Sequence, residues 1–383
     1  MRLLIDAHNL RSGGGRIHIR YLLQHLPVPE PFDEVIVVCP PRLATELANV
    51  VGPRPWLRLL PQPALEQPLA VRRLWHDAQF PRLLQTIAPS VLFAPGGVLP
   101  AHTPNRTATA ALIQNMLLFQ PREAARYGLT PERFRLNRLR QRVLHTLRVA
   151  DGLIFPSTFG RYMALNACPG TRARIRVIPN GVDAAFRSTS LETRTRRRAT
   201  RILYPSTLDR YKHQHQVVRA LGILARRGMD GLQLHLAGAT REPETARVRK
   251  AIHAHRLEET VVLLGEVPHE AMPGLHAAAD IGVFASSCET CPNILLEMMA
   301  SGLPMVCSNR LPMPDFCLDG AVYADPERPE SIADALESLL TSSEKRTHHA
   351  HRLQKLARRY DWMTCATETF RFLSSLAPRL RRP

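Results

Sequence analysis

The strongest constraint on this chain is an alternation of two hydrophobic periods that runs through both of its halves. Short apolar runs of strand type take turns with stretches whose apolar residues recur every three or four positions. In the first half the strand-type runs cover residues 2–7, 34–39, 90–94, 108–113 and 152–156. Ser12-Gly13-Gly14-Gly15 and a helix through Tyr21, Leu22 and Leu26 follow the first run, and another helix covers 136–149. In the second half strands are expected at 201–205, 233–237, 261–264, 281–285, 305–307 and 322–324. Helices are expected between them at 214–226, 244–255, 271–278, 292–300 and 331–340. Strand and helix in turn predict an α/β chain of parallel sheets covered by helices on both faces. A length of 383 residues suits two such doubly wound domains, facing across a ligand cleft at the carboxyl ends of their strands. The expected division is an N-terminal domain 1–182, a basic linker 183–200, a C-terminal domain 201–359, and a helix and tail 360–383 returning to the N-terminal domain. Pro179-Asn180-Gly181 supplies the turn at the junction.

Composition removes several classes. At 45% apolar and 22% charged residues the chain is not a disordered one. No apolar run reaches the roughly 18–20 residues that span a bilayer. Asp6 interrupts the stretch a signal peptide would need, so a soluble, non-exported, cytoplasmic protein is expected. Seven cysteines fit a reducing compartment. Cys288-x2-Cys291 could join Cys307 and Cys317 as a zinc set, but a second short pair is missing, and no metal site is expected. Residues 1–182 hold 23 Arg, no Lys and 10 acids, a net of +13 within the chain's +18, and residues 187–201 add another cluster. A field of that sign favours phosphates or an acidic lipid surface. With 12 Phe, 7 Tyr and 3 Trp and no recognised binding module, nucleic acid is not the expected partner.

Chemistry concentrates in the segment from Ser286 to Pro304. Pro292 reads as the first helical position, and Gly302 followed by Pro304 reads as the stop. Free amides at Asn293 and Ile294 would then form a positive helix end suited to an anion. Glu289 lies on the loop before the helix, and Glu297 lies within it, five positions after Pro292. A carboxylate accepts hydrogen bonds from vicinal hydroxyls, so the arrangement suits a nucleotide sugar. Glu297 would hold the ribose, the helix amides the diphosphate, and Glu289 the transferred sugar.

These residues resemble the family 4 retaining glycosyltransferases of the GT-B fold. The likeness rests on Glu289-x7-Glu297 with its continuation to Pro304, on Val177-Ile178-Pro179-Asn180-Gly181-Val182-Asp183, on the stretch Tyr204-Pro205-Ser206-Thr207-Leu208-Asp209-Arg210-Tyr211-Lys212-His213, and on Tyr360-Asp361-Trp362. It covers essentially the second half and, more weakly, the first. The resemblance implies a retaining, metal-independent transferase, with no cofactor beyond its nucleoside-diphosphate sugar. The acceptor would be lipid-linked or a glycan, in cell-surface polysaccharide assembly. Glu289, Lys212 and Arg210 are the implied catalytic residues. Gly14, Gly15, Ser206, Thr207, Thr290, Pro292, Asn293, Ile294 and Glu297 are the implied donor-binding set. Gly13, Gln114 and Asn115 stand where the family meets its acceptor and reaction centre.

Two departures matter. Thr207 occupies the place of a family Arg five residues before Lys212, leaving Arg210 as the substitute cation. Gln114 stands where a His is usual, and an amide cannot take a proton near neutrality. In a front-face reaction the leaving phosphate can accept that proton, with Lys212 and Arg210 neutralising the diphosphate. The alternative is a catalytically silent sugar-nucleotide-binding scaffold. The Gly13 loop is no dinucleotide fingerprint, since position 18 is His18. Residues 133–148 interleave six Arg with an apolar stripe, which adds peripheral contact with an anionic membrane, on the inner face of the cytoplasmic membrane, to the expected partners.

Overall fold

The computed structural model describes residues 1–10, 13–26, 28–187 and 200–377. Two compact units divide the chain. The first holds the described residues of Met1–Phe119, Leu129–Gly181 and Asp361–Pro383, and the second those of Gln120–Gly128 and Val182–Tyr360.

In the first unit seven strands form one parallel sheet: β1 (Arg2–Asp6), β2 (Glu34–Cys39), β3 (Leu57–Pro61), β4 (Val91–Ala94), β5 (Ala108–Leu112), β6 (Gly152–Phe155) and β7 (Arg174–Val177). Their order is β3-β2-β1-β4-β5-β6-β7. Leu3 is in register with Val35 on one side and Val91 on the other. Side chains of the central strands are buried on both faces, which explains their unbroken apolar runs. The closing helix, Trp362–Leu376, belongs to this unit, capped by Asp361 accepting from the Thr364 amide at 2.8 Å. Trp362 stacks on Tyr21 with ring centroids 5.0 Å apart. A Cβ on Gly181 would stand 2.2 Å from the Trp362 nitrogen, so the junction needs glycine there.

The second unit repeats the plan with β8 (Thr200–Pro205), β9 (Leu232–Ala237), β10 (Val261–Gly265), β11 (Ile281–Phe284), β12 (Met305–Ser308) and β13 (Val322–Ala324). The order is β10-β9-β8-β11-β12-β13, again parallel throughout. Helices Gln214–Arg226, Asn293–Ala300 and Pro329–Leu340 bury Val217, Leu221, Leu296 and Leu336 against it. Strand order reverses between β8 and β11, and ligands of such sheets gather at the carboxyl ends of the strands at that point.

Three features differ from the sequence reading. Residues 120–128 belong to the second unit and not to a continuous first domain. β3 and β7 were not expected; both are edge strands, half-exposed and interrupted by arginine, so they lack the apolar run of the interior strands. Pro292 precedes the helix, which begins at Asn293. The linker expected at 183–200 falls mostly on 188–199, outside the described residues; before it, Ala184–Arg187 forms a short 3-10 helix.

Candidate active site

The carboxyl end of β8 passes into Ser206-Thr207-Leu208-Asp209 and then a 3-10 turn, Arg210–Lys212, which Asp209 caps by accepting from the Arg210 amide at 2.8 Å. The carboxyl end of β11 passes into Ser286-Ser287-Cys288-Glu289. The Ser287 amide donates to the Tyr211 carbonyl at 2.8 Å and ties these two loops together. Across that tie Lys212 Nζ forms an ion pair with Glu289 Oε1, which also accepts from Ser286 Oγ at 2.6 Å. Only 9% of the Lys212 side chain and 14% of that of Glu289 are exposed. Lys212 Nζ also lies 5.2 Å from the ring centres of Tyr211 and Phe284. A cation so desolvated gains strongly from any phosphate oxygen that approaches it.

Next along the chain, the helix Asn293–Ala300 starts at Pro292 and ends before Gly302, whose φ of 58° suits a residue without Cβ. Glu297, one turn in, is buried, and its Oε1 meets His269 Nε2 at 2.9 Å. Ser206 is buried with no hydrogen-bond partner on its Oγ among the described residues. Gln214 holds the backbone there, donating to the Thr207 carbonyl at 2.9 Å. Arg210, expected beside Lys212 as a second cation, is directed elsewhere: it lies over the Tyr127 ring at 5.0 Å and donates to the Arg126 carbonyl. In a 3-10 turn two residues apart project about 120° from one another, so positions 210 and 212 cannot share a target.

The segment 120–128 supports both loops from behind. Tyr127 donates to Asp209 at 2.7 Å, and Ser287 Oγ donates to Glu123 Oε2 at 2.8 Å. His213 Nε2 lies 2.8 Å from the same Ser287 oxygen. Burial, then the charge of Arg126, pushes the His213 pKa down to about 3, so the ring is neutral; because the serine gives its proton to Glu123, its oxygen accepts from the Nε2–H tautomer. Glu123 is fixed by Arg126 at 2.7 Å, and Arg126 pairs in turn with Glu327. The hydrogen bonds thus run one way, from imidazole to hydroxyl to carboxylate. Glu123, Tyr127 and His269 were not marked by the sequence, and His213 and Ser287 lay within marked stretches without a role of their own.

In the first unit Gly13 takes a φ of 71° at the start of the helix Gly14–Gln24. Asn9, Gly15, Gln114 and Asn115 line a cavity of about 200 Å³ together with apolar side chains such as Leu139 and Val143. Asn9 Nδ2 donates to the Gly96 carbonyl at 3.1 Å, while its buried Oδ1 has no partner among the described residues. A Cβ on Gly96 would stand 1.7 Å from that oxygen. Among the described residues the cavity therefore presents carboxamides and no charge. Behind it Asp6 accepts from His8 at 2.8 Å and from His76 at 2.9 Å. Burial would raise the Asp6 pKa, but the two imidazoles hold it well below the usual carboxylate range. Among the described residues this is the one group of three metal-type side chains in reach of each other. Its hydrogen bonds are already matched, and Arg142 lies 3.4 Å from His76, which disfavours a cation. Cys288, Cys291, Cys307 and Cys317 are buried free thiols that form no such group.

Residues 192–358 match the profile described as glycosyl transferases group 1, and residues 12–186 match glycosyltransferase family 4. The chain belongs to the family 4-type glycosyltransferases. It is 37% identical over 107 residues to the O-antigen chain mannosyltransferase B of Escherichia coli, covering 28% of each chain. It is 31% identical over 204 residues to a glycogen synthase of Mycobacterium tuberculosis, covering 51% of this chain and 47% of that one. The chain thus spans less than half the length of these curated relatives. Its fold is that of Anabaena HepE, solved with UDP and glucose, at a TM-score of 0.73, 18% identity and coverage of 98% and 100%. Sucrose-phosphate synthase from Thermosynechococcus elongatus gives 0.75 at 17% identity, covering 98% of both chains. The expected GT-B architecture of two parallel-sheet domains is borne out. Of the expected site residues, the second unit gathers the donor positions Ser206, Thr207, Thr290, Pro292, Asn293, Ile294 and Glu297, with Lys212 and Glu289, on the loops after β8 and β11 and on the helix that follows. Gly13, Gly14, Gly15, Gln114 and Asn115 lie in the first unit.

Proposed function

We propose that the chain transfers a sugar from a nucleoside-diphosphate sugar to a glycan or lipid-linked acceptor, with retention at the anomeric carbon. The observation that carries this reading is the buried Lys212–Glu289 ion pair at the strand-order reversal, one loop before the helix that carries Glu297. Glu297 would accept the ribose hydroxyls, the amides at Asn293 and Ile294 the diphosphate, and Glu289 the sugar hydroxyls. As the bond from anomeric carbon to phosphate breaks, Lys212 would leave Glu289 for the phosphate and stabilise the negative charge developing there. The acceptor oxygen would bond on the same face and pass its proton to the leaving phosphate, so the reaction needs no side chain to take that proton. A relative named O-antigen chain mannosyltransferase B supports a polysaccharide-type acceptor.

Unfolding with a panel of nucleoside diphosphates tests the donor site. One of them is expected to stabilise the protein by about 2.7 kcal/mol at a hundred times its dissociation constant. Glu297→Ala should weaken that binding roughly ten-fold and leave kcat nearly unchanged, because a ribose contact persists from ground to transition state. No stabilisation by any diphosphate would overturn the reading. Binding without turnover across an acceptor panel would favour the silent scaffold, which the Gln114 and Thr207 departures motivate.

Charge stabilisation by Lys212 and helix amides requires no metal, and the sequence has no Asp-x-Asp. Turnover in excess chelator is therefore expected to equal that in magnesium; loss of activity there would defeat the proposal of metal independence.

A further inference from the structure

Glu297 is held at both its side chain and its backbone by two histidines of the second unit. Its carboxylate meets His269, in the 3-10 turn His269–Ala271 that follows the edge strand β10. An ionised carboxylate only accepts, so the imidazole Nε2–H donates. Further along, in the helix Met272–Ala278, His276 Nδ1 lies 3.1 Å from Ser301 Oγ, and that hydroxyl donates to the Glu297 carbonyl at 2.9 Å. The serine oxygen therefore accepts from the His276 ring. Phe186 contacts both imidazoles, with ring centroids 5.5 Å from His269, edge-on, and 5.2 Å from His276. The 3-10 helix Ala184–Arg187 that carries Phe186 packs on the helix Asn293–Ala300.

The two imidazoles act on different parts of Glu297. His276 and Ser301 are fully buried and secure the end of the helix. Securing the backbone does not aim a glutamate, because the torsions between Cα and carboxylate stay free to change rotamer. His269 removes that freedom by fixing Oε1, and Phe186 in turn fixes the His269 ring. This outer pair is open to solvent, with 22% of the His269 side chain and 8% of that of Glu297 exposed. One hydrogen bond on Oε1 leaves the carboxylate able to accept from two vicinal hydroxyls. Ordering the acid before the ligand arrives lowers the entropic cost of that contact.

We infer that His269, steadied by Phe186, is a positioning residue that aims Glu297 at the ribose and so sets a preference for ribonucleotides over 2′-deoxyribonucleotides. This role rests on Glu297 meeting the ribose, as proposed above. Titration of the full chain with UDP, GDP and ADP, each beside its 2′-deoxy counterpart, tests it. The nucleotide that binds best should be preferred in its ribose form roughly ten-fold. His269→Ala should weaken the ribose form roughly five-fold and leave the 2′-deoxy form within about two-fold, so most of the preference disappears. His269→Gln keeps an N–H donor at similar reach and should stay within about two-fold of the wild type on both forms. In a Glu297→Ala background His269→Ala should add little, because no carboxylate remains to aim. At saturating donor the kcat of His269→Ala should match the wild type, while the donor KM rises with the lost affinity. Retained 2′-deoxy binding certifies the fold of each variant. Equal losses on both forms, or additive losses in the Glu297→Ala background, would overturn the inference and reduce His269 to a support of the helix. A wild type that binds a diphosphate without distinguishing ribose from 2′-deoxyribose would overturn it as well. Absence of binding by every nucleotide would instead overturn the donor reading, and this role with it.

Discussion

Lys212→Met is expected to lower kcat by a factor on the order of 10³, with Glu289→Gln causing a loss of similar size. The physical demand is charge. A departing diphosphate needs a fixed cation in a site of low dielectric, and removing one such stabilising group typically forfeits a hundred- to a thousand-fold. Lys212 meets that description, with its ammonium shielded by Tyr211 and Phe284 and held by one carboxylate. The same pairing complicates the interpretation of single variants. Each leaves its partner as an uncompensated buried charge, at a stability cost of about 3–5 kcal/mol. The double variant Lys212→Met, Glu289→Gln removes both charges, so it should regain most of the lost stability and none of the lost activity. Urea unfolding beside a nucleotide-release assay separates the two effects. Wild-type turnover in either folded single variant would move the reaction centre elsewhere.

Part of this site was legible in the sequence because its signals are local. The 286–304 segment has a proline before a helix, a glycine after it and acids at fixed offsets, and each has a conformational reason that a single stretch displays. The interior strands were legible for a similar reason: burial on both faces leaves a continuous apolar run. β3 and β7 sit at the edges, where Leu57–Pro61 and Arg174–Val177 are covered less and the run is broken. Arg210 was placed by proximity in sequence, and the turn geometry sends it away from Lys212. Ser287 and Glu123 are 164 residues apart, and Tyr127 and Asp209 are 82 apart, so no local pattern could have joined them.

Those long-range contacts make Glu123 a positioning residue, and Glu123→Ala is expected to lower kcat ten- to a hundred-fold without removing any group that meets the donor. Ser287 stands two residues before Glu289, and its hydroxyl is held between the neutral His213 ring and the Glu123 carboxylate. Without the carboxylate the serine keeps, among the described residues, only the longer bond to the Tyr211 carbonyl at 3.3 Å, and Arg126 loses a buried partner, so the loop carrying Glu289 can settle in other arrangements. Misplacement of a reacting group by about 1 Å can cost a hundred-fold. The effect should act through Ser287, which sets it apart from general destabilisation. In a double-mutant cycle Ser287→Ala should add little once Glu123 is alanine, whereas independent sites would add their losses. Glu123→Gln retains an oxygen that can accept from Ser287 and should stay within about three-fold of wild-type kcat, even though it surrenders the charge that pairs with Arg126. Nucleoside-diphosphate affinity should change less than kcat in every one of these variants, because the helix amides and Glu297 are untouched. Additive losses in the cycle, or a glutamine variant as impaired as the alanine one, would assign Glu123 to the ion pair with Arg126 and to stability alone.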